Sequence, residues 1–275
     1  MLETLLVVWR ESLEAALIVG ILLTYLGRSG QRAGARYVWG GSLAALLAAI
    51  VCAAASSDLV AGLDGDAQEL VQVGVLLVAV AVLTWMIVWM HRHARAMRGE
   101  LERKADAALA KGRLIGLATI AFAAVFREAV ETVLFLWGIE ARHVGMAVPL
   151  VVAGAGGVLL AAATAWLFFS GFRFLRLPTF FRVTGVLLVL VAAGLLSSAV
   201  NKLIGLGYLS PLMPQVWNSS WLVRDDSLVG RTLSALMGYR SRPSLLEVLA
   251  YAVYFLPVLW CLRRTNGTSA SASPA

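Results

Sequence analysis

Two short segments, Arg10-Glu11-Ser12-Leu13-Glu14 and Arg127-Glu128-Ala129-Val130-Glu131, each set one arginine and two glutamates inside a long apolar run. The first lies in LLVVWRESLEAALIVGILLTYL and the second in LIGLATIAFAAVFREAVETVLFLWG. A charged side chain near the middle of a membrane helix costs about 2.5–3.5 kcal/mol on insertion scales. Three per helix cost on the order of 8–10 kcal/mol, against roughly 0.3–0.6 gained per large apolar residue. Neither segment is comfortable alone in lipid, so each must turn its charges toward protein, water or an ion. An ionisable group inside a membrane marks a functional site by default.

The spacing carries the chemistry. Residues three and four apart share one helix face, so Glu11 stacks on Glu14 and Glu128 on Glu131. Arg10 and Arg127 each stand four residues before the second glutamate of their motif, within ion-pairing reach of it. If the two helices face one another, four carboxylates converge, with two guanidiniums to keep them ionised. Clustered carboxylates without Cys or His suit a hard cation. The plainer alternative is that each arginine only neutralises a glutamate of its own helix. Two copies with one spacing, in different segments, weigh against that alternative.

Composition supplies the setting. Of 275 residues 60% are apolar and only 14% charged, with a mean hydropathy of +0.82. The expectation is an all-α polytopic membrane protein rather than a soluble domain. Apolar runs of span length place seven transmembrane helices at 4–26, 37–57, 69–90, 115–139, 146–170, 183–204 and 245–262. They form one membrane domain over 1–264, followed by a low-complexity, disordered tail at 265–275. The first apolar run lacks a basic n-region and carries the motif, so no cleavable signal is expected.

Basic residues set the orientation. Arg28, Arg32 and Arg36 follow the first span, seven Lys/Arg lie in 91–113, and Arg173, Arg176 and Arg182 follow the fifth. The connection after the second span is acidic instead, with Asp58, Asp64 and Asp66. By the positive-inside rule the N-terminus faces outside and the C-terminus the cytoplasm. The basic 91–113 stretch then reads as a topology signal and a solvated helical hairpin, and no nucleic acid is expected as a partner. The first span runs inward and the fourth outward, so spans 1–3 and 4–6 form a 3+3 inverted repeat, each half opening on the motif, with one helix left over. At 1.5 Å per residue both glutamate pairs reach the outer half or midplane of a core of about 30 Å.

Other residues read more plainly. Gly154, Gly156 and Gly157 suit close helix packing and not a phosphate loop. Trp85, Trp89, Trp137 and Trp260 read as interface anchors. Cys52 and Cys261 read as packed thiols, and His91 and His93 as solvated boundary residues. The connection 205–244 is longer than a turn needs, and either docks a partner or covers the entrance.

At the paired motifs the chain resembles the oxidase-dependent iron permeases, the bacterial Efe-type and the fungal high-affinity permeases. Their mark is a pair of Arg-Glu-x-x-Glu motifs, usually with Gly after the first Glu; Ser12 and Ala129 stand there in this sequence. The resemblance extends through QELVQVGVLLVAVAVLTWMIVWM (68–90) and VWNSSWLVRDDSLVGRTLSALMGYRSRPSLLEVLAYAVY (216–254). It implies iron import across a cytoplasmic membrane, with Glu11, Glu14, Glu128 and Glu131 on the metal and Arg10 and Arg127 balancing charge. Iron is then the transported substrate and no cofactor is implied; an extracytoplasmic oxidase or iron-binding protein is a candidate partner. Family members often carry a further Glu-x-x-Glu at the start of the third span, and here those positions read Glu69 and Gln72. That departure puts in question an outer iron site formed by this segment alone; Asp58, Asp64 and Asp66 are the candidates to compensate, as an outer relay with Glu69. Two rivals stay open: a transporter of another cation such as Mn²⁺, and a membrane-embedded di-iron oxidase, against which it weighs that bundle di-iron sites use Glu-x-x-His helices while all three histidines here lie in connections.

Overall fold

The computed structural model describes residues 2–61, 65–93, 97–110, 114–141, 147–170 and 177–267. Among them the regular structure is helical: α1 (Leu2–Arg28), α2 (Ala35–Ala61), α3 (Asp66–His93), α4 (Met97–Ala110), α5 (Leu114–Glu140), α6 (Ala147–Phe169), α7 (Leu177–Gly205), α8 (Leu228–Met237) and α9 (Leu245–Gly267). A 3-10 turn at Arg32–Gly34 leads into α2. The 27 residues of α1 make a rod of about 40 Å at 1.5 Å per residue, longer than a hydrocarbon core of about 30 Å. By length and composition four helices are apolar enough to cross a membrane, within Arg32–Ala55, Asp66–Met90, Val148–Phe169 and Val183–Gly205. α1 and α5 are as long, but each carries its three motif charges at mid-length.

Packing explains how those charges are accommodated. α1 and α5 lie inside, against each other, and each is flanked by the second helix of the other triplet: α6 packs on α1, and α2 packs on α5. α3 pairs with α7. The flanking helices meet their partners through glycine. A Cβ on Gly41 would come within 2.2 Å of the Ala118 carbonyl oxygen, and one on Gly157 within 2.9 Å of the Leu5 carbonyl oxygen. Both glycines are the second of a Gly-Gly pair, at Gly40-Gly41 and Gly156-Gly157. Small residues at such crossings let helix backbones approach closely. Away from these contacts, α2 exposes Trp39, Leu43, Leu47, Ile50 and Val51, and α6 exposes Val148, Val151, Leu159 and Trp166. Apolar surface this continuous suits lipid rather than water.

Two clusters form most of the core. One joins α3, α7 and α9 with Phe135 and Ile139 of α5; the other joins α1, α2, α4 and α5 around Leu22, Leu26, Leu117 and Ala121. α4 corrects one expectation. Within the basic 91–113 stretch lies a single amphipathic helix seated on α1 and α5, not a hairpin standing in solvent. Its Leu101 and Ala105 are buried, and these two positions, four apart, supply one apolar stripe. Cys52 is also corrected: it is exposed on α2 rather than packed.

The 205–244 connection is built, not slack. Ser227 caps α8 by accepting from the Gly230 amide at 2.9 Å, and Gly238 ends it in the left-handed region at φ 62°. Gly238 lies so close to Gly194 of α7 that a Cβ would come within 2.6 Å of it. Asp225 accepts from the Ser241 amide at 2.8 Å and its hydroxyl at 2.6 Å. Ser244 and Glu247 then form a reciprocal capping box at the start of α9, with Glu247 Oε2 accepting from the Ser244 amide at 2.9 Å.

Candidate metal centre

The motif side chains meet where α1 and α5 cross. Arg10, Glu11, Glu14, Glu128 and Glu131 are all buried. Carboxylate oxygens of Glu11, Glu128 and Glu131 lie within 4.8 Å of one another, drawing one residue from α1 and two from α5. Glu14 stands one turn further along α1, outside this triplet, and lines a cavity of about 360 Å³. Of the four carboxylates expected to converge, three come within reach of one ion and Glu14 stands beside them.

Each arginine binds the glutamates of its own helix. Arg10 Nη1 donates to Glu11 Oε1 at 2.9 Å, and Arg10 Nη2 is 2.7 Å from Glu14 Oε1. Arg127 Nε donates to Glu131 Oε1 at 2.9 Å and is 3.7 Å from Glu128 Oε1. The plainer alternative, arginines pairing within their own helices, holds as far as these bonds go. It does not account for the other oxygens. Glu11 Oε2, Glu128 Oε2 and Glu131 Oε2 are buried and, among the described residues, have no hydrogen-bond partner. A buried charged oxygen without a partner costs several kcal/mol, and several such oxygens close together repel. One cation between them removes both penalties.

α3 forms a wall of the site that the motifs did not reveal. Arg10 Nη1 also approaches Met86 Sδ at 3.1 Å. The Arg127 guanidinium lies over the Trp89 ring at 4.8 Å and the Trp85 ring at 5.7 Å from their centroids. The two indoles stack with centroids 6.3 Å apart. Trp85 and Trp89, expected as interface anchors, thus also hold an arginine of the centre through cation–π contact. Three residues of α3 reach both guanidiniums, so the site rests on three helices.

Two of the outer candidates, Asp66 and Glu69, do not join this centre. Asp66 and Glu69 are exposed in the first turn of α3. Asp64 and the side chain of Asp58 lie outside the described residues, as do the side chains of Cys261, His91 and His93. Gln72 has a definite partner: its Oε1 accepts from Lys202 Nζ of α7 at 2.7 Å. A lysine at this spot makes the position unfavourable for a cation.

A buried carboxylate cluster on crossed, lipid-clad helices defines the class of an ion-handling membrane protein. The chain matches the Iron permease FTR1 family over residues 1–264 and belongs to that family, one of transporters and not of enzymes. It is similar to the ferrous iron permease EfeU of Escherichia coli O6:H1 (strain CFT073), 33% identical over 280 residues that cover 98% of both chains. It is also similar to the ferrous iron permease EfeU of Yersinia pestis, 32% identical over 281 residues covering 98% of this chain and 96% of that one. No solved structure matches the chain.

Proposed function

We propose that the chain imports iron through the centre between α1 and α5, with Glu11, Glu128 and Glu131 as the holding ligands and Glu14 as the next carboxylate on the path. The observation that carries this reading is the set of three buried, unpartnered carboxylate oxygens drawn from two helices. Four glutamates and two arginines leave the empty site at a formal charge of −2. That charge attracts a cation without the grip that four bare carboxylates would have. Arg10 and Arg127 occupy the Oε1 atoms and leave Oε2 atoms for the ion, so charge balance and ligand presentation come from the same contacts. Iron as Fe(II) agrees with the names of the relatives; oxygen ligands alone would also accept Fe(III) or Mn²⁺.

The reading includes a topology. Residues 1–264 form one domain in the cytoplasmic membrane, with α1, α2, α3, α5, α6, α7 and α9 spanning and the N-terminus outside. Residues 265–275 extend from it as a tail. α1–α3 and α5–α7 are inverted repeats, and the exchange of partners, α6 on α1 and α2 on α5, is what such a pseudo-two-fold axis produces. Transport follows when one repeat rocks against the other around the midplane site. Asp58, Asp64, Asp66 and Glu69 gather cations at the outer mouth, and an extracytoplasmic oxidase or iron-binding protein supplies the ion. The test is radioiron uptake into proteoliposomes, given as Fe(II) or Fe(III), with Mn²⁺ as competitor. Saturable Fe(II) uptake that excess Mn²⁺ does not abolish supports the reading. Equal uptake of manganese, or ferroxidase turnover without uptake, would overturn it in favour of a rival.

A further inference from the structure

The cavity of about 360 Å³ beside the centre has two ends. At one end are Glu14, Arg127 and Glu128 of the centre; at the other are Glu100 and Lys104 of α4. Its wall between them is Ile18 of α1 and the Thr119–Ala124 stretch of α5. These residues lie C-terminal to Glu14 in α1 and N-terminal to Glu128 in α5, so the cavity leaves the centre on one side only. On the topology proposed above that side is the cytoplasm. Glu128 contributes a buried oxygen without a partner to the same cavity wall, so the space adjoins an unsatisfied ligand and is more than a packing defect.

We propose that this cavity is the inner vestibule of the permease and that Glu100 is the carboxylate that takes the iron ion from Glu14 and Glu128 on its way to the cytoplasm. α4 is held there by its own apolar stripe, with Leu101 and Ala105 buried against α1, α2 and α5. The polar residues of its other face stand at the vestibule mouth. Glu100 is at present paired with Lys104 at 2.8 Å, with the two side chains 48% and 58% exposed. An exposed i,i+4 pair is weak, so a divalent ion arriving from the centre displaces the ammonium. Lys104 in turn keeps Glu100 from becoming a trap. It re-forms the pair once the ion has left, and its charge at the mouth disfavours return of a cation. The exit is thereby a weak site that follows a strong one, as rapid release requires.

This inference rests on the iron-import reading, and the experiment separates the two. Full-length protein is reconstituted in liposomes and iron uptake is measured for Glu14→Gln and Glu100→Gln, with equilibrium iron binding measured on the same preparations. Glu100→Gln is expected to lower the maximal uptake about twofold, the rate equivalent of one exposed charge contact, with iron binding and half-saturation unchanged. Glu100→Asp is expected to restore most of the rate. In a background without the native thiols (Cys52→Ala, Cys261→Ala), Ala123→Cys is expected to react with a charged, membrane-impermeant thiol reagent in inside-out vesicles only. Wild-type uptake by Glu100→Gln, or labelling of Ala123→Cys from the outer face, overturns the exit role. If the unsubstituted protein takes up no iron, the import reading itself falls; if it transports and Glu14→Gln is inactive while Glu100→Gln is normal, only the exit role falls.

Discussion

Arg10 and Arg127 hold the same place in the same five-residue pattern, yet the Arg10 side chain is 2% exposed while that of Arg127 is 34% exposed and lines the cavity. Arg10 grips both glutamates of α1 closely and has a thioether behind it. Arg127 grips Glu131 closely and Glu128 loosely, and rests on two indole faces. A guanidinium sealed in protein with directional bonds is a fixed element. One lying on aromatic faces beside an open space can slide with little change in energy. The comparison assigns α1 the rigid half of the centre and α5 the half that adjusts as an ion enters or leaves.

Removing a carboxylate should have the largest effect on either side. Glu11→Gln and Glu131→Gln each delete one of three converging ligands while keeping shape, and a neutral amide is cheaper to bury than the acid. Radioiron uptake is expected to fall at least tenfold, about 1.4 kcal/mol or more, with membrane insertion unchanged. Full uptake by either variant would mean that the triplet is not the site.

The arginines should then separate the halves. Lysine keeps the charge but loses the planar fork that spans two carboxylates. Arg10→Lys leaves a buried partner partly unpaired, so uptake should drop strongly and thermal stability should fall. Arg127→Lys should lose less, because a lysine ammonium also binds indole faces and the position admits water. Equal losses in the two variants would erase the distinction between a rigid and an adjustable half. Trp89→Leu should show a smaller effect of the same kind, about 0.5–2 kcal/mol for the lost cation–π contact. A lysine at 127 still lies on the indole, so Trp89→Leu should lower uptake further when combined with Arg127→Lys.

Gln72→Glu should matter least. Lys202 already donates to this side chain, so a glutamate there pairs with the lysine instead of creating an outer iron site. Half-saturation for iron should stay within error of the unsubstituted protein. A lowered value would return α3 to the outer pathway.

These tests also mark what could be read from residues alone. The apolar runs announced where the long helices lie, because burial in lipid demands length and composition that little else imitates. The two motifs announced their own contacts, because i,i+3 and i,i+4 spacing settles which side chains share a face. Nothing in the spacing told that Glu14 stands apart from the other three, since that depends on how far one helix slides along the other. Met86, Trp85 and Trp89 were equally silent: an aromatic pair near the end of an apolar run looks like an interface anchor whether or not an arginine lies on it. α4 was hidden by the seven Lys/Arg of 91–113, which set the charge count of the whole stretch and obscure the stripe of Leu101 and Ala105. The capping box at Ser244 and Glu247 was legible by its Ser-x-x-Glu spacing, and it explains a buried acid without any metal.

On the proposed reading α1 and α5 share one ion, and equilibrium binding of radioiron to the purified protein is the decisive test. One high-affinity iron per chain is predicted, lost in Glu11→Gln and lost equally in Glu131→Gln, since each removes a ligand of the same ion. Two irons per chain, with one surviving in Glu11→Gln and the other in Glu131→Gln, would contradict the claim and make each motif a separate site.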